Sequence, residues 1–170
     1  MAKRTRIVCI HEGRKGPSID PVFANEFLKA YDPEWLRPWE TGKARFVPCG
    51  GKSELLKAFP EELARCNSSG GDTTLVVLAD IDDDLENGDQ LKQKYWDAAQ
   101  AAGIARKIFD RVVFIFPKDR IENWIEFLLT GNVNENRESP RVYPAKAKEA
   151  AKLLAKKCRS RAGPCTLSKG

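Results

Sequence analysis

The stretch LVVLADIDDD, residues 75–84, decides the fold and poses the question of function. It opens with apolar residues that favour β-strands and closes with four aspartates, interrupted once by Ile81. A continuous apolar run of this length is typical of a strand buried on both faces of a parallel sheet. In such sheets ligands bind beyond the carboxyl ends of the strands. Because the whole chain has a net charge of +5, this local excess of negative charge needs a chemical reason.

Strand-like stretches alternate with helical patterns along most of the chain. The predicted strands are TRIVCI (5–10), ARFVPC (44–49), TTLVVLAD (73–80) and DRVVFIF (110–116). The predicted helices are residues 18–32, 53–66, 89–103 and 119–131; Pro60 is expected to break or kink the second, and Gly103 and Gly131 to end the last two. This order predicts an α/β, Rossmann-like fold, in which a mainly parallel four-stranded sheet carries helices on both faces.

The chain is long enough for one domain with a substantial core. We predict an α/β domain over residues 1–131. Residues 132–170 are then a polar loop, a basic helix and a tail that pack on the same domain. The basic helix, AKAKEAAKLLAKKCRSR (145–161), has an apolar stripe in which we expect Ala150, Leu153 and Leu154.

Composition excludes several classes of protein. Hydrophobic residues make up 42% and charged residues 31% of the chain, as in ordinary globular proteins, and no apolar run approaches the roughly 20 residues that span a bilayer. The five cysteines are widely spaced without a C-x-x-C pair, so neither a disulfide framework nor a zinc site is expected. His11 is the single histidine, which excludes sites built from several histidines. We therefore expect a cytoplasmic protein with no membrane association.

Charged residues follow the predicted strands at their carboxyl ends. These residues are Glu12 after the first strand, Lys52 after the second, Asp80, Asp82, Asp83 and Asp84 after the third, and Lys118 and Glu122 after the fourth. Parallel strands bring these positions to one edge of the sheet, where the carboxylates would repel one another unless cations bound them. Oxygen ligands without His or Cys favour Mg²⁺ or Mn²⁺, which also bind phosphate oxygens of a substrate.

The motifs IVCIHEG and LVVLADIDDD resemble the Toprim domain, whose pattern is a glutamate after the first strand and Asp-x-Asp after the third. The motifs VPCGGKS and FPKDRIENWI make the chain similar to the overcoming-lysogenization-defect (OLD) type of Toprim nuclease and its relatives in anti-phage defence. In that group a Gly-Lys follows the second strand and an Ile-Glu lies on the helix after the fourth. The resemblance covers about residues 5–130.

The resemblance implies a metal-dependent nuclease that acts on DNA or RNA. Glu12, Asp80 and Asp82 would be the metal ligands, with Asp84 and Glu122 as additional ligands and Lys52 or Lys118 near phosphate. Two divalent metals would activate water and stabilise the leaving oxygen, and a lysine would offset charge in the transition state. Since the chain has no appended ATPase, unlike full OLD nucleases, we expect an ATPase on a separate chain, or a homo-oligomer, as a partner in defence.

The basic C-terminal helix has two readings that are compatible with each other. Its positive residues include Lys146, Lys152, Lys156, Lys157 and Arg159, which would contact phosphates of the nucleic acid. The alternative is a docked helix with a solvated outer face. Most charged helix faces are of the second kind.

Other functions and roles stay open. The acidic edge could serve a non-catalytic module that binds nucleic acid or protein, or a magnesium-dependent phosphotransfer or phosphatase domain. The aspartates of residues 80–84 could simply cap a helix, and Glu122 stands three residues after Asp119, the spacing of a capping box. GGKS is not a nucleotide-binding P-loop, because Phe46 stands where that motif requires glycine. His11 is expected to be a packed or surface residue rather than a catalytic base.

Overall fold

The computed structural model describes residues 4–16, 18–69, 72–81, 87–118, 120–132 and 142–160. It is an α/β fold, as predicted. Its strands are β1 (Arg6–His11), β2 (Arg45–Pro48), β3 (Thr73–Leu78) and β4 (Val113–Ile115). Its helices are α1 (Ile19–Tyr31), α2 (Lys52–Ser68), α3 (Gly88–Ala101), α4 (Arg106–Phe109), α5 (Ile121–Thr130) and α6 (Pro144–Arg159).

The four strands form one parallel sheet in the order β2-β1-β3-β4. The predicted parallel sheet is therefore confirmed, and β1 and β3 are its central strands. The chain leaves β1 toward one side of the sheet to form β2, then crosses to β3 and continues away on the other side to β4. Chain connections thus diverge between β1 and β3, which is where open α/β sheets form a ligand crevice at the carboxyl ends of their strands.

One face of the sheet packs against α2, α3 and α4 in the largest hydrophobic cluster of the described residues. Ile10 and Val77 are fully buried under Phe59 and Tyr95, whose rings meet edge to face with centroids 5.0 Å apart. Such aromatic pairs add to the apolar area that the cluster removes from water. Packing in this cluster holds β1 and β3 in place, and these two central strands lead to the edge that carries the acidic residues.

The opposite face carries α1, and α6 packs on α1 and α5. Leu28 of α1 packs against a small cluster that includes Ile7 of β1, while Phe23 of α1 packs with α5 and α6. The buried stripe of α6 is made mainly of alanines, which allow close approach of the helices, and comprises Ala147, Ala150, Ala151, Leu154, Ala155 and Cys158. Helices therefore cover both faces of the sheet, as predicted.

Several local predictions need correction. Leu153 is 37% exposed, so its expected place in the apolar stripe is wrong. The buried i, i+3, i+4, i+7, i+8 series of α6 starts at Ala147 and passes through 150, 151, 154 and 155, which leaves Leu153 at the side. Helix α2 is continuous through Pro60 rather than broken there, because Leu55, Phe59 and Leu63 on both sides of the proline are buried in one core. The short helix α4 was not predicted.

The predicted helix ends agree with the structure at α5. Gly131 has φ 78°, and its N–H donates to the carbonyl of Phe127, which closes the helix in the left-handed conformation that glycine adopts most readily. Within the described ranges, no helix combines the length and the apolar character needed to cross a bilayer.

The cysteines differ in state. Cys9, Cys49 and Cys66 are free thiols, whereas Cys158 at the end of α6 is disulfide-bonded. The odd number and wide spacing of the cysteines gave no indication of this bond. The cytoplasmic location expected from the cysteine pattern stays a prediction.

The turn after β1 depends on a glycine. His11 is 2% exposed, and its Nδ1 accepts a hydrogen bond from the backbone N–H of Gly13 at 3.2 Å. A Cβ atom on Gly13 would lie 2.7 Å from both Cε1 and Nδ1 of the His11 ring. Because that ring is enclosed and packs edge to face against Phe46, it has little room to move. Of the two expected places for His11, packed or at the surface, the structure shows the packed one.

We expect Gly13→Ala to lower the free energy of unfolding by about 1–3 kcal/mol, the usual cost of overpacking a closed site. Gly88→Ala is the matched control, since a Cβ there meets its nearest atom, Cδ2 of Phe116, at an ordinary 3.6 Å. Chemical denaturation of both variants measures the difference. Equal stability of the two variants would show that the His11 ring does not constrain the turn.

Candidate functional site

The candidate site lies at the carboxyl edge of the sheet, where backbone hydrogen bonds join the loops after the strands. The N–H of Cys49 donates to the carbonyl of His11, and the N–H of Gly50 donates to the carbonyl of Gly13, both at 2.9 Å. The loop that follows β2 is therefore held beside the loop that follows β1. Glu12 lies between these two attachments.

Glu12 contacts the end of β3 directly. Its Oε1 accepts a hydrogen bond from the backbone N–H of Asp80 at 3.0 Å, and both residues are partly buried. Hydrogen bonds to an ionised carboxylate are shorter and stronger than those between neutral groups. The two predicted ligands that follow the central strands are thus neighbours at the point where the chain connections diverge.

The backbone geometry of β3 explains why Asp80 turns its N–H to Glu12. The N–H groups of Ala79 and Ile81 donate to the carbonyls of Ile115 and Pro117, at 3.1 and 2.9 Å, on the β4 side. Successive residues of an extended strand point their N–H groups in opposite directions. The N–H of Asp80 therefore faces β1, where the ladder between β1 and β3 has ended and the Glu12 side chain takes the place of a backbone carbonyl.

Two lysines border this edge on the neighbouring elements. Lys52 is the first residue of α2, and it follows Gly50 and Gly51, whose φ angles of 86° and 146° strongly favour glycine. Lys118 is paired with Ile81 in a short parallel bridge beyond β4 and is exposed. The glycines thus allow the chain to turn sharply into α2, so that Lys52 lies at the positive end of a helix at this edge.

A second group of titratable residues lies where α1 and α5 begin. Asp20 and Glu122 are each the second residue of their helix. Burial, together with the negative charge of Glu122, raises the pKa of Asp20 to about 6. The structure therefore brings Glu122 close enough to Asp20 to repel it electrostatically. The capping-box alternative for Glu122 is wrong, because Arg120 rather than Asp119 occupies the N-cap position.

His11 adjoins this second group without forming a charged pair. Its Nδ1 lies 3.8 Å from Oδ2 of Asp20, beyond hydrogen-bond distance. Burial lowers the pKa of His11, and its Nδ1 already accepts from Gly13, so the ring is neutral at pH 7 with its proton on Nε2. A neutral imidazole gives Asp20 no cation to stabilise its ionised form, which agrees with the raised pKa of Asp20.

The structure thus divides the predicted metal ligands. Glu12 and Asp80 are together, Glu122 is with Asp20, and Asp82 and Asp84 lie outside the described residues, as does Asp83. Among the residues that the structure describes, no group of three His, Cys, Asp or Glu side chains is arranged to hold a metal ion. The full predicted metal centre therefore stays a prediction.

Sequence reasoning missed Asp20. A signal was present, since Asp20 stands in the first turn of the helix that follows β1, and that turn returns to the same edge of the sheet. Asp20 is not among the residues that directly follow a strand, which is where the charged motifs lie. Its partner Glu122 was found, because the helix after β4 begins closer to its strand.

The basic residues of α6 differ in their contacts. Lys152 places its Nζ 3.8 Å from a carboxylate oxygen of Glu26, and the guanidinium of Arg159 donates to the carbonyl of Ala30, so both of these side chains face α1. Lys146, Lys156 and Lys157 are exposed. Two of the five basic residues that were expected to contact nucleic acid therefore make contacts with α1 instead.

This chain matches no protein-family model and no curated protein. The resemblance to Toprim nucleases therefore depends on the order of the motifs along the sequence.

The raised pKa of Asp20 predicts a specific dependence of stability on pH. The folded protein retains a proton on Asp20 up to about pH 6, while the unfolded chain releases it near the ordinary value of 3.8. The free energy of unfolding should therefore fall as the pH rises through this window. We expect Asp20→Asn to remove this slope and to stabilise the protein above pH 6 by about 3 kcal/mol.

Denaturation at several pH values between 4 and 8, in chelator, measures this effect. Asp97→Asn is the matched control, since Asp97 is exposed on α3 and accepts a hydrogen bond only from Gln93 within the described residues. It should leave the pH profile unchanged. Parallel profiles for Asp20→Asn and the wild type would mean that Asp20 ionises normally in the folded state.

Proposed function

We propose that this protein is a divalent-metal-dependent nuclease that hydrolyses phosphodiester bonds of DNA or RNA. The observation that supports this most is the contact between Glu12 and the backbone of Asp80, 3.0 Å apart at the ends of the two central strands. Acidic side chains at this position of a parallel sheet are suited to binding a metal and the phosphate of a ligand. The order of the motifs, which resembles Toprim nucleases, adds to this support.

The chemistry of the donors fits Mg²⁺ or Mn²⁺. Glu12 and Asp80 would provide hard oxygen ligands at the ends of the two central strands, and we propose that Asp82 completes the set, with Asp84 as a further ligand. When bound, the metal would neutralise charge on the phosphate and make water a better nucleophile. Glu122 is now a less central ligand, because its electrostatic neighbour among the described residues is Asp20.

The lysines would bind the phosphate. Lys52 combines its ammonium group with the N-terminal end of α2, where backbone N–H groups also favour anions. Lys118 lies beside Ile81 at the end of the β3–β4 pair. Two cations on opposite sides of Asp80 would hold the scissile phosphate next to the carboxylates, and they would stabilise the charge that develops during hydrolysis.

Asp20 adds a group that can exchange protons near neutral pH. With a pKa of about 6 it is neutral in part of the population at pH 6–7, a property of general acids and bases. We propose that Asp20 supports proton transfer at this edge, and that Glu122 adds to the rise in its pKa that burial causes. Glu122 would then act through Asp20 as a positioning residue.

The resemblance extends the proposal to a biological setting. OLD-type Toprim nucleases and their relatives act in anti-phage defence, so we propose a cytoplasmic defence effector that works with an ATPase on another chain or as a homo-oligomer. The basic residues Lys146, Lys156 and Lys157 are exposed on α6 and are available for contacts with the nucleic-acid backbone.

A second candidate function is a Toprim-like module that binds nucleic acid or protein without catalysis. It is favoured by the hydrogen bond that Glu12 accepts from the backbone of Asp80, since this bond gives the carboxylate a structural role of its own. A purely structural Glu12 needs an acceptor oxygen but no charge. The two candidates therefore differ in what a neutral replacement of Glu12 should do.

We expect Glu12→Gln to keep the fold and to abolish cleavage. Glutamine retains the acceptor oxygen, so stability should change by less than about 1 kcal/mol. Activity should fall at least about 100-fold, since even residues that only support metal ligands cost up to that factor. Glu61→Gln, in an exposed ion pair with Arg65 on α2, is the matched control and should leave activity unchanged.

The assay uses supercoiled plasmid, single-stranded DNA and RNA, each with Mg²⁺, Mn²⁺ or chelator. Cleavage that needs the metal and is lost in Glu12→Gln supports the nuclease. Binding of nucleic acid without cleavage, with Glu12→Gln equal to the wild type, would support the non-catalytic module instead.

A further inference from the structure

A groove on the side of the molecule has the charge and the donors to bind phosphate groups. It lies between α1, the first residues of the edge strand β2 and α6, and it has a volume of about 370 Å³. Three cations line it, one from each of these elements: Lys29, Arg45 and Lys148. Within the part of the chain that the structure describes, none of the three forms an ion pair.

Among the described residues, the one carboxylate that lines the groove is already engaged. Glu26 lies 3.8 Å from the ammonium group of Lys152 on α6, which reduces its repulsion of an anion. The groove therefore has an excess of positive charge that the fold does not use. Since like charges cost free energy when they are brought together, a ligand that neutralises them would bind favourably.

Neutral groups complete the lining and hold it in place. Oδ1 of Asn25 accepts from the backbone N–H of Lys43 at 3.2 Å, which fixes the turn before β2 against α1. The ammonium of Lys43 also contacts Asp32 at 2.7 Å, just after the end of α1. Asn25 thereby has its amide protons available as donors, and the hydroxyl of Thr41 lines the same groove.

The groove leads toward the candidate site. Its lining includes Pro21, which directly follows Asp20 at the carboxyl edge of the sheet, and it reaches Lys29 two turns further along α1. At 1.5 Å per residue this is about 12 Å, which exceeds the roughly 3.4 Å that one nucleotide adds along a strand of duplex. A chain with several phosphates could therefore lie along the groove with one end near Asp20.

We propose that this groove binds the phosphate backbone of a single nucleic-acid strand that extends to or from the carboxyl edge of the sheet. The proposal rests on the proposed function, because it supplies the track for that site's substrate. Lys29, Arg45 and Lys148 contact phosphates, while Asn25 and Thr41 donate hydrogen bonds to the same oxygens. Contacts of this kind position a strand without reading its bases.

The test measures binding of a fluorescein-labelled 12-nucleotide single strand by anisotropy, in chelator, so that no cleavage occurs. The groove variant combines Lys29→Gln, Arg45→Gln and Lys148→Gln. The matched control combines Lys57→Gln, Lys92→Gln and Lys107→Gln, which remove the same charge from exposed positions on α2, α3 and α4. Thermal melting of both variants checks that they fold.

We expect the groove variant to bind at least about tenfold more weakly than the wild type at 50 mM salt, and its salt slope to fall by about 2, since each phosphate contact on a single strand contributes about 0.7. The control measures the effect of general charge, and its loss of affinity should be several-fold smaller than that of the groove variant. The charge-preserving variant Lys29→Arg, Arg45→Lys, Lys148→Arg should bind within about twofold of the wild type. Equal losses in the groove and control variants would overturn the proposal.

Competitors identify the ligand class. Unlabelled single strands should displace the labelled strand, whereas thymidine monophosphate and a hexaglutamate peptide should not do so at the same charge concentration. Displacement by the mononucleotide or by the acidic peptide would overturn the assignment to a strand.

The nuclease assay separates this proposal from the proposed function. If the groove variant loses strand binding and the wild-type protein never cleaves, the groove proposal stands and the nuclease proposal fails. If the wild-type protein cleaves, and the groove variant equals the control variant in binding and cleavage, the nuclease proposal stands and the groove proposal fails.

Discussion

The hydrogen bond from the backbone of Asp80 to the carboxylate of Glu12 is the constraint on which the account depends. It forms because β1 and β3 are neighbours and because the ladder between them ends just before these residues. The buried aromatic cluster under one face and α1 on the other keep the two strands in register. Packing of the apolar strands thus determines that two acidic residues, 68 positions apart, meet at one point of the sheet edge.

Helix α1 connects this edge to the rest of the molecule. Its first turn places Asp20 beside His11 and near Glu122, its inner side packs on β1, and its far end contacts the guanidinium of Arg159. Its outer side lines the groove with α6 and β2. Helix α1 therefore supplies a carboxyl with a raised pKa at one end, and along its length it lines a groove to which it contributes one cation, Lys29. That arrangement suits a site that must accept a long polyanion.

The strands, the parallel sheet and the edge that carries the charges could be predicted, because apolar runs of β-formers such as 75–78 identify buried strands without further information. Which strands are central could not, since strand order depends on tertiary packing. Asp20 was not predicted because it lies in the first turn of α1 rather than directly after a strand, and its raised pKa depends on burial and on Glu122, about a hundred residues later. The groove also depends on distant residues: Lys148 joins Lys29 and Arg45 only once α6 has docked through its alanines. The continuity of α2 through Pro60 likewise reflects core packing that outweighs a local preference.

Direct measurement of metal binding tests the central claim, that Glu12 and Asp80 belong to a divalent-metal centre. Titration of the protein with Mn²⁺, followed by the electron paramagnetic resonance signal of the free ion, reports bound metal without requiring activity. We expect saturable binding by the wild-type protein, and a loss of affinity of about 100-fold or more in the double variant Glu12→Gln, Asp80→Asn. Binding that is absent in the wild type, or unchanged in the double variant, would contradict the account.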